Sequence, residues 1–252
     1  MKYFKIIVLL FFFLFVNGCS NVKDNEYVTE VVSSVDVGYS YNSEVRENED
    51  LLISNVVVYN RNYSKFLGIK YKEYNTYGSG FVYDEDEDFY YILTNNHVVM
   101  PYEDFKINSI IVEDYFGNKY NGVVIDRDSE YDLAIVRIEK IVDLRTLEIV
   151  DNDSIIGESV KSMSNPNLRR NVINEGKINC YSIVNINDDS SNVTFDVLVH
   201  SASIQSGSSG SALLNEEDKV IGVTFAGVFD KEDNFITGYA IPATRINEFL
   251  SN

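Results

Sequence analysis

The feature that most limits this chain's fold is a succession of short apolar or alternating runs, each soon broken by turn-forming residues. In the first half these are Phe89–Thr94, Ser109–Val112, Gly122–Ile125 and Leu133–Ile138. Phe116-Gly117-Asn118-Lys119 supplies a hairpin turn between two of them. A second set follows residue 155: Ser159–Met163, Lys177–Ile183, Asn192–Val199, Ala212–Leu214, Lys219–Phe225 and Ile236–Ile241. Runs this short, rich in Val, Ile, Tyr and Phe, read as strands. Leu144–Ser154 separates the two sets and reads as a linker. Only the last stretch has helical period: Pro242 opens it, and Ile246, Phe249 and Leu250 share a face. Two strand groups and one terminal helix predict an all-β fold of paired barrels, at about residues 51–145 and 155–252. A 252-residue chain with 45% hydrophobic residues can bury cores of that size.

The N-terminus is of a different kind. Lys2 and Lys5 precede an unbroken apolar run, Ile6 to Val16, of 11 residues. That is short of the roughly 20 residues that span a bilayer, and a basic start before a short apolar core describes a secretory signal. The run ends Val16-Asn17-Gly18-Cys19, which resembles a bacterial lipobox. The resemblance implies a signal over residues 1–18 and acylation of Cys19. A plain signal peptide with an incidental cysteine is the competing reading. Residues 19–50 are polar and acidic and read as a tether between a membrane lipid and the folded domain.

Charge and cysteine content narrow the function. The net charge of -18 repels phosphate backbones, and no basic stripe overrides it, so a nucleic-acid role is disfavoured. With two cysteines and Cys19 given to lipid, no disulfide framework is expected. Cys180, in an alternating run, then reads as a buried structural thiol.

The chain has two histidines. His200 lies inside a strand run and reads as a hydrogen-bonded core residue. His97 ends the run Leu93-Thr94-Asn95-Asn96-His97. Asp132 opens the apolar strand Leu133–Ile138, where a half-buried carboxylate can hold an imidazole N–H. Further on comes Gln205-Ser206-Gly207-Ser208-Ser209-Gly210-Ser211-Ala212-Leu213. Its small residues permit a tight turn in which the Gly207 and Ser209 amides face a developing oxyanion. The order His, Asp, Ser is one of the known orders of a nucleophilic triad. Each segment alone is weak, since a Ser/Gly loop is usually a linker and an Asp before an apolar run is often a cap. Their joint occurrence at strand–loop junctions gives the signal.

Those segments resemble the protease domain of HtrA-type (DegP-like) serine proteases, within the trypsin-like superfamily. Thr94–Val99 is similar to that family's histidine motif, and Gly117–Ile138 to the hairpin and strand bearing its aspartate. Asn165-Pro166 and Val172–Ile178 resemble its second-barrel opening, and Gly207–Leu213 its nucleophile loop. Gly238–Pro242 resembles the segment before its closing helix. The resemblance covers about residues 75 to 250 and implies a trypsin-like double β-barrel with a C-terminal helix. It also implies a His97–Asp132–Ser209 triad and an oxyanion hole from the Gly207 and Ser209 amides. Ile204 would then line the primary specificity pocket, with Phe225, Ala226 and Gly227 on the bordering strand. Extended polypeptides would be the substrates, with no cofactor or metal, and no PDZ domain is expected after Asn252. Ser208 stands where the family has Asn, and Ser211 where it has Gly. If position 211 needs a positive φ, its serine slows the enzyme. A catalytically weak, peptide-binding homologue and a non-enzymatic surface lipoprotein are the other readings.

Overall fold

The computed structural model describes residues 48–184 and 190–252. The signal, Cys19 and nearly all of the tether lie outside the described residues. A single turn, α1 (Glu49–Leu52), leads into six strands: β1 (Asn55–Phe66), β2 (Ile69–Glu85), β3 (Phe89–Thr94), β4 (Ile107–Glu113), β5 (Lys119–Asp128) and β6 (Leu133–Glu139). A second short helix, α2 (Asn96–Val99), follows β3. The second six are β7 (Ser159–Ser164), β8 (Val172–Ile183), β9 (Asp196–His200), β10 (Ala212–Leu214), β11 (Val220–Phe229) and β12 (Phe235–Pro242), closed by α3 (Ala243–Ser251).

Each set of six forms a closed antiparallel barrel, in the orders β1-β2-β3-β6-β5-β4 and β10-β11-β12-β9-β8-β7. The double barrel and the terminal helix are as expected. The reason is visible in the strand pattern. Side chains alternate across a strand, so a strand buried on both faces reads as a continuous apolar run. In β6, Ala134 and Val136 fill the first barrel, while Leu133 and Ile135 join a core shared by the two barrels. In β9, Leu198 faces the second barrel's interior, while Val197 and Val199 face that shared core. The barrels are thus held together by an apolar layer that includes Phe81, Leu93, Met163 and Phe225.

Several expectations need correction. The long β1–β2 hairpin is the largest element that the strand runs did not announce. His97 sits within α2 rather than at a strand end, and Pro242 caps α3 rather than entering it. Cys180 is partly buried against the shared core, beside a register shift in the β8–β9 ladder. The full burial expected of it is therefore not found. His200 is fully buried, but among the described residues neither ring nitrogen has a partner in good hydrogen-bond geometry. Its ring lies against Gly238, where any Cβ would approach within 2.4 Å of the imidazole. Burial pushes its pKa down to about 4, so it stays neutral near pH 7.

Candidate active site

Barrel register brings His97 and Asp132 together. Strands β3 and β6 are neighbours, with Thr94 opposite Ala134. The chain leaves β3 and turns once as α2, which swings His97 over the start of β6, where Asp132 lies. Asn60 Nδ2 holds this turn by donating to the carbonyls of Val98 and Met100, at 3.0 and 2.8 Å. Asp132 itself has φ of 51°, a left-handed conformation that Asp tolerates better than most residues. Asn95 Nδ2 fixes its carbonyl at 2.8 Å.

The Asp132 carboxylate is completely buried and spends both oxygens on His97. Oδ1 accepts the His97 backbone N–H at 3.0 Å, and Oδ2 lies 2.8 Å from Nδ1. Holding Nδ1–H in this way leaves Nε2 as the basic nitrogen.

The Ser/Gly-rich loop of the candidate nucleophile joins β9 to β10 and rests on the first barrel. Ser79, at the middle of β2, is its main support. The Ser79 amide donates to the Ser209 carbonyl at 2.7 Å, and Ser79 Oγ donates to the Gly207 carbonyl at 2.8 Å. Ser79 Oγ also accepts the Asn165 N–H at 2.9 Å. Asn165 in turn donates to the Val56 carbonyl and accepts from Asn55, forming a buried polar seam between the barrels. Sequence reasoning missed Ser79. The available signal was Gly78-Ser79-Gly80, small residues in an otherwise bulky strand, which permit another backbone to approach closely.

Two glycines let the loop take its shape. Gly207 has φ of 90°, and a Cβ there would sit 2.3 Å from the Tyr77 ring. Gly210 has φ of 86°, and a Cβ there would sit 2.1 Å from the Ser79 carbonyl oxygen. Ser211 is not in the left-handed region, so the expected strain at that position does not arise.

Burial separates the loop's serines. Ser208 and Ser211 are buried, and Ser208 Oγ is engaged with the Gln205 amide and Ser164 Oγ. Ser209 is partly exposed in the cleft, and its Oγ donates to the Phe225 carbonyl over a long 3.4 Å.

The loop amides also divide. Those of Ser208, Gly210 and Ser211 donate to the carbonyls of Gln205, Thr224 and Ser208. Among the described residues no acceptor is found for the amides of Gly207 and Ser209. The peptide planes carrying these two amides are nonetheless fixed. The Asn167 amide grips the Ser206 carbonyl at 2.7 Å, and the Ser211 amide grips the Ser208 carbonyl at 3.0 Å. Two oriented N–H groups flanking one hydroxyl are an arrangement able to receive an anion.

One cleft contains His97, Gly207 and Ser209 together with Ile204, Phe225, Ala226 and Gly227. Asp132 lies behind His97, away from the opening. The cleft floor is apolar. Gly227 leaves room for the buried Ile204, whose Cδ1 would be 2.8 Å from any Cβ there, and Phe229 closes the far side. Among the described residues no Asp, Glu, Lys or Arg lines it. Past Thr224, whose backbone bonds to Ser211 and Gly210, β11 has no β10 partner, so its edge borders the cleft.

This fold and cleft define the class. Residues 78–223 match the trypsin-like peptidase domain model, and the chain belongs to that family. Among its relatives is the "Probable periplasmic serine endoprotease DegP-like" of Buchnera aphidicola subsp. Baizongia pistaciae, 30% identical over 71% of this chain and 37% of the relative. The "Serine endoprotease DegS" of Salmonella typhimurium is 30% identical over 84% of this chain and 57% of its own length. The solved serine endoprotease from Yersinia pestis superposes with a TM-score of 0.56 at 26% identity, over 82% of this chain and 67% of that one. The chain spans little more than a third of the DegP-like relatives' length.

Proposed function

We propose that this chain is an exported serine endopeptidase that cleaves extended polypeptides and is tethered to a membrane through an acylated Cys19. The observation that carries the catalytic reading is the buried Asp132–His97 pair opening on the same cleft as Ser209 and two unoccupied loop amides.

The chemistry follows from that arrangement. A substrate strand pairs with the β11 edge at Phe225–Gly227, which places its scissile carbonyl over Ser209. The weak bond from Ser209 Oγ to Phe225 exchanges for one to His97 Nε2. As Oγ attacks the carbonyl carbon, its proton passes to Nε2, and the carbonyl π electrons move onto oxygen. The Gly207 and Ser209 amides take up that oxyanion, and each such donor is worth about 2.7–4 kcal/mol. Asp132 stabilises the imidazolium through Nδ1–H without taking the proton. The imidazolium then protonates the departing amine, leaving an acyl-serine. Water attacks the acyl group by the same route, with His97 again the base, and releases the acid and free Ser209. The uncharged floor of Ile204 and Phe229 selects small or medium aliphatic side chains and gives Lys or Arg no counter-ion.

The peptide-binding alternative rests on the altered serine loop, but Ser211 lies outside the left-handed region in which its side chain would be strained.

A fluorophosphonate probe tests the catalytic reading. The parent and Ser208→Ala should label and cleave unfolded casein, and Ser209→Ala should do neither. Loss in Ser208→Ala with retention in Ser209→Ala overturns the assignment. For the anchor, palmitate should label the parent and not Cys19→Ala. An unlabelled parent, or one whose two cysteines are oxidised to each other, refutes acylation.

A further inference from the structure

We propose that the tip of the β1–β2 hairpin is a docking point for an anionic lipid surface. Strand β4 pairs with β1 only as far as Tyr63. Beyond it the hairpin continues through Ser64–Glu73 as a two-stranded ribbon, projecting about 13 Å at roughly 3.3 Å per residue. At its apex Phe66 pairs with Ile69 across Leu67-Gly68, with φ of 49° and 82°. This is a two-residue turn of the kind that favours Asn-Gly.

The sequence works against local stability there, and does so twice. Leu67 is held in the left-handed region, which Asn or Gly occupies at little cost, and is 85% exposed. Lys65 lies directly opposite Lys70, a like-charge pair that weakens a ladder. Phe66, Ile69 and Tyr71 are also more than half exposed, so the apolar side chains cluster at one convex end. An observed backbone outlier with an exposed apolar side chain points to function at the apex.

Charge identifies the partner. From Leu51 to Lys72 this acidic chain has no Asp or Glu, yet it has Arg61, Lys65, Lys70 and Lys72. Lys70 pairs with Glu73, and Lys72 with Asp104, at 2.9 and 3.2 Å. Lys65 has no carboxylate within ion-pair reach among the described residues and rests instead near the Tyr63 ring. An apolar apex backed by lysines on long apolar stems matches an acyl layer beneath negative headgroups. A second copy of the chain is a poorer fit, because edge lysines deter strand-to-strand pairing. The site follows from the geometry, because β2 runs without a break from Ile69 to Thr76 and Tyr77 at the cleft, so docking would hold the cleft about 25 Å above the lipid. The inference does not depend on Cys19 being acylated or on Ser209 being a nucleophile.

The chain has no tryptophan, so Leu67→Trp introduces a single fluorophore at the apex. The full-length variant would be reconstituted in vesicles of phosphatidylcholine alone or mixed with phosphatidylglycerol. A blue-shifted emission, quenched by brominated acyl chains and stronger with phosphatidylglycerol, supports the proposal. Changing Lys65, Lys70 and Lys72 to Glu in that background should return the emission to its aqueous value. Each lysine should contribute about fivefold in apparent affinity at low salt. Ile156→Trp, exposed elsewhere, is the control and should stay water-like. An unquenched Leu67→Trp, an equal response at position 156, or a blue shift without vesicles that grows with protein concentration overturns the proposal. The last outcome would assign the apex to contact between copies.

Discussion

Ser79→Ala should uncouple the candidate nucleophile loop from the barrel beneath it. The hydroxyl donates to the Gly207 carbonyl and accepts the Asn165 amide, and all three residues are buried. Removing it leaves one carbonyl and one N–H without partners, at about 1–3 kcal/mol each, so a total near 3 kcal/mol is expected. With a urea slope of about 3 kcal/mol/M, the midpoint should fall by about 1 M. The catalytic consequence is smaller but specific. The Gly207 carbonyl lies between the two planes that carry the proposed oxyanion amides. Those planes keep their own anchors at Asn167 and Ser211, so the donors loosen without being lost. The expected fall in kcat is about 10- to 100-fold, roughly 1.4–2.7 kcal/mol, below the full value of one donor. KM for a chromogenic peptide should change by less than about threefold, because the β11 edge and the Ile204 floor are untouched. Urea unfolding and steady-state kinetics on the same preparation provide both readouts. A kcat within twofold of the parent, alongside a lowered midpoint, would show that Ser79 supports the fold but does not position the oxyanion amides.

Three further outcomes follow from the geometry. Asp132→Asn should lower kcat by about 10³–10⁴-fold with little effect on KM, since an amide cannot accept from both His97 N–H groups while stabilising an imidazolium; retained activity in steady-state assays counts against the triad. Gly210→Ala should abolish fluorophosphonate labelling, because a Cβ 2.1 Å from the Ser79 carbonyl at φ of 86° cannot be seated without moving the loop; labelling at the parent rate refutes this. His200 is neutral in the fold with a pKa of about 4, against about 6.5 when unfolded, so between those values the unfolded chain binds the extra proton. Stability is therefore full above pH 6.5 and falls towards pH 4, by roughly 3 kcal/mol from this group. His200→Leu should flatten that part of the urea-midpoint profile, and an unchanged slope assigns the acid sensitivity to other groups.

How much was legible depends on which physical signal each residue leaves. Strands β6 and β11 were visible because both faces are buried, which writes an unbroken apolar run into the chain. The β1–β2 hairpin was not, because its outer half is largely exposed and mixes lysines with apolar residues without a buried face, and its turn is Leu-Gly rather than Asn-Gly. His97 and Asp132 stood out because each lies where an apolar run meets polar residues, whereas Ser209 was separated from its neighbouring serines by the family resemblance. Ser79 lies in mid-strand and leaves only the weak mark of its glycine neighbours. His200 shows the converse. A histidine in a strand gives no sign of whether it will be hydrogen-bonded, since that depends on what the neighbouring strands present. Here β12 presents Gly238 and the ring is merely enclosed. The local pattern encodes which face is buried, while barrel closure decides which polar groups meet. Ser79 and Asn165, 86 residues apart, are paired by closure alone. That pairing makes the candidate nucleophile loop of the second barrel depend on a side chain of the first, so barrel docking and an oriented oxyanion pocket should be lost together.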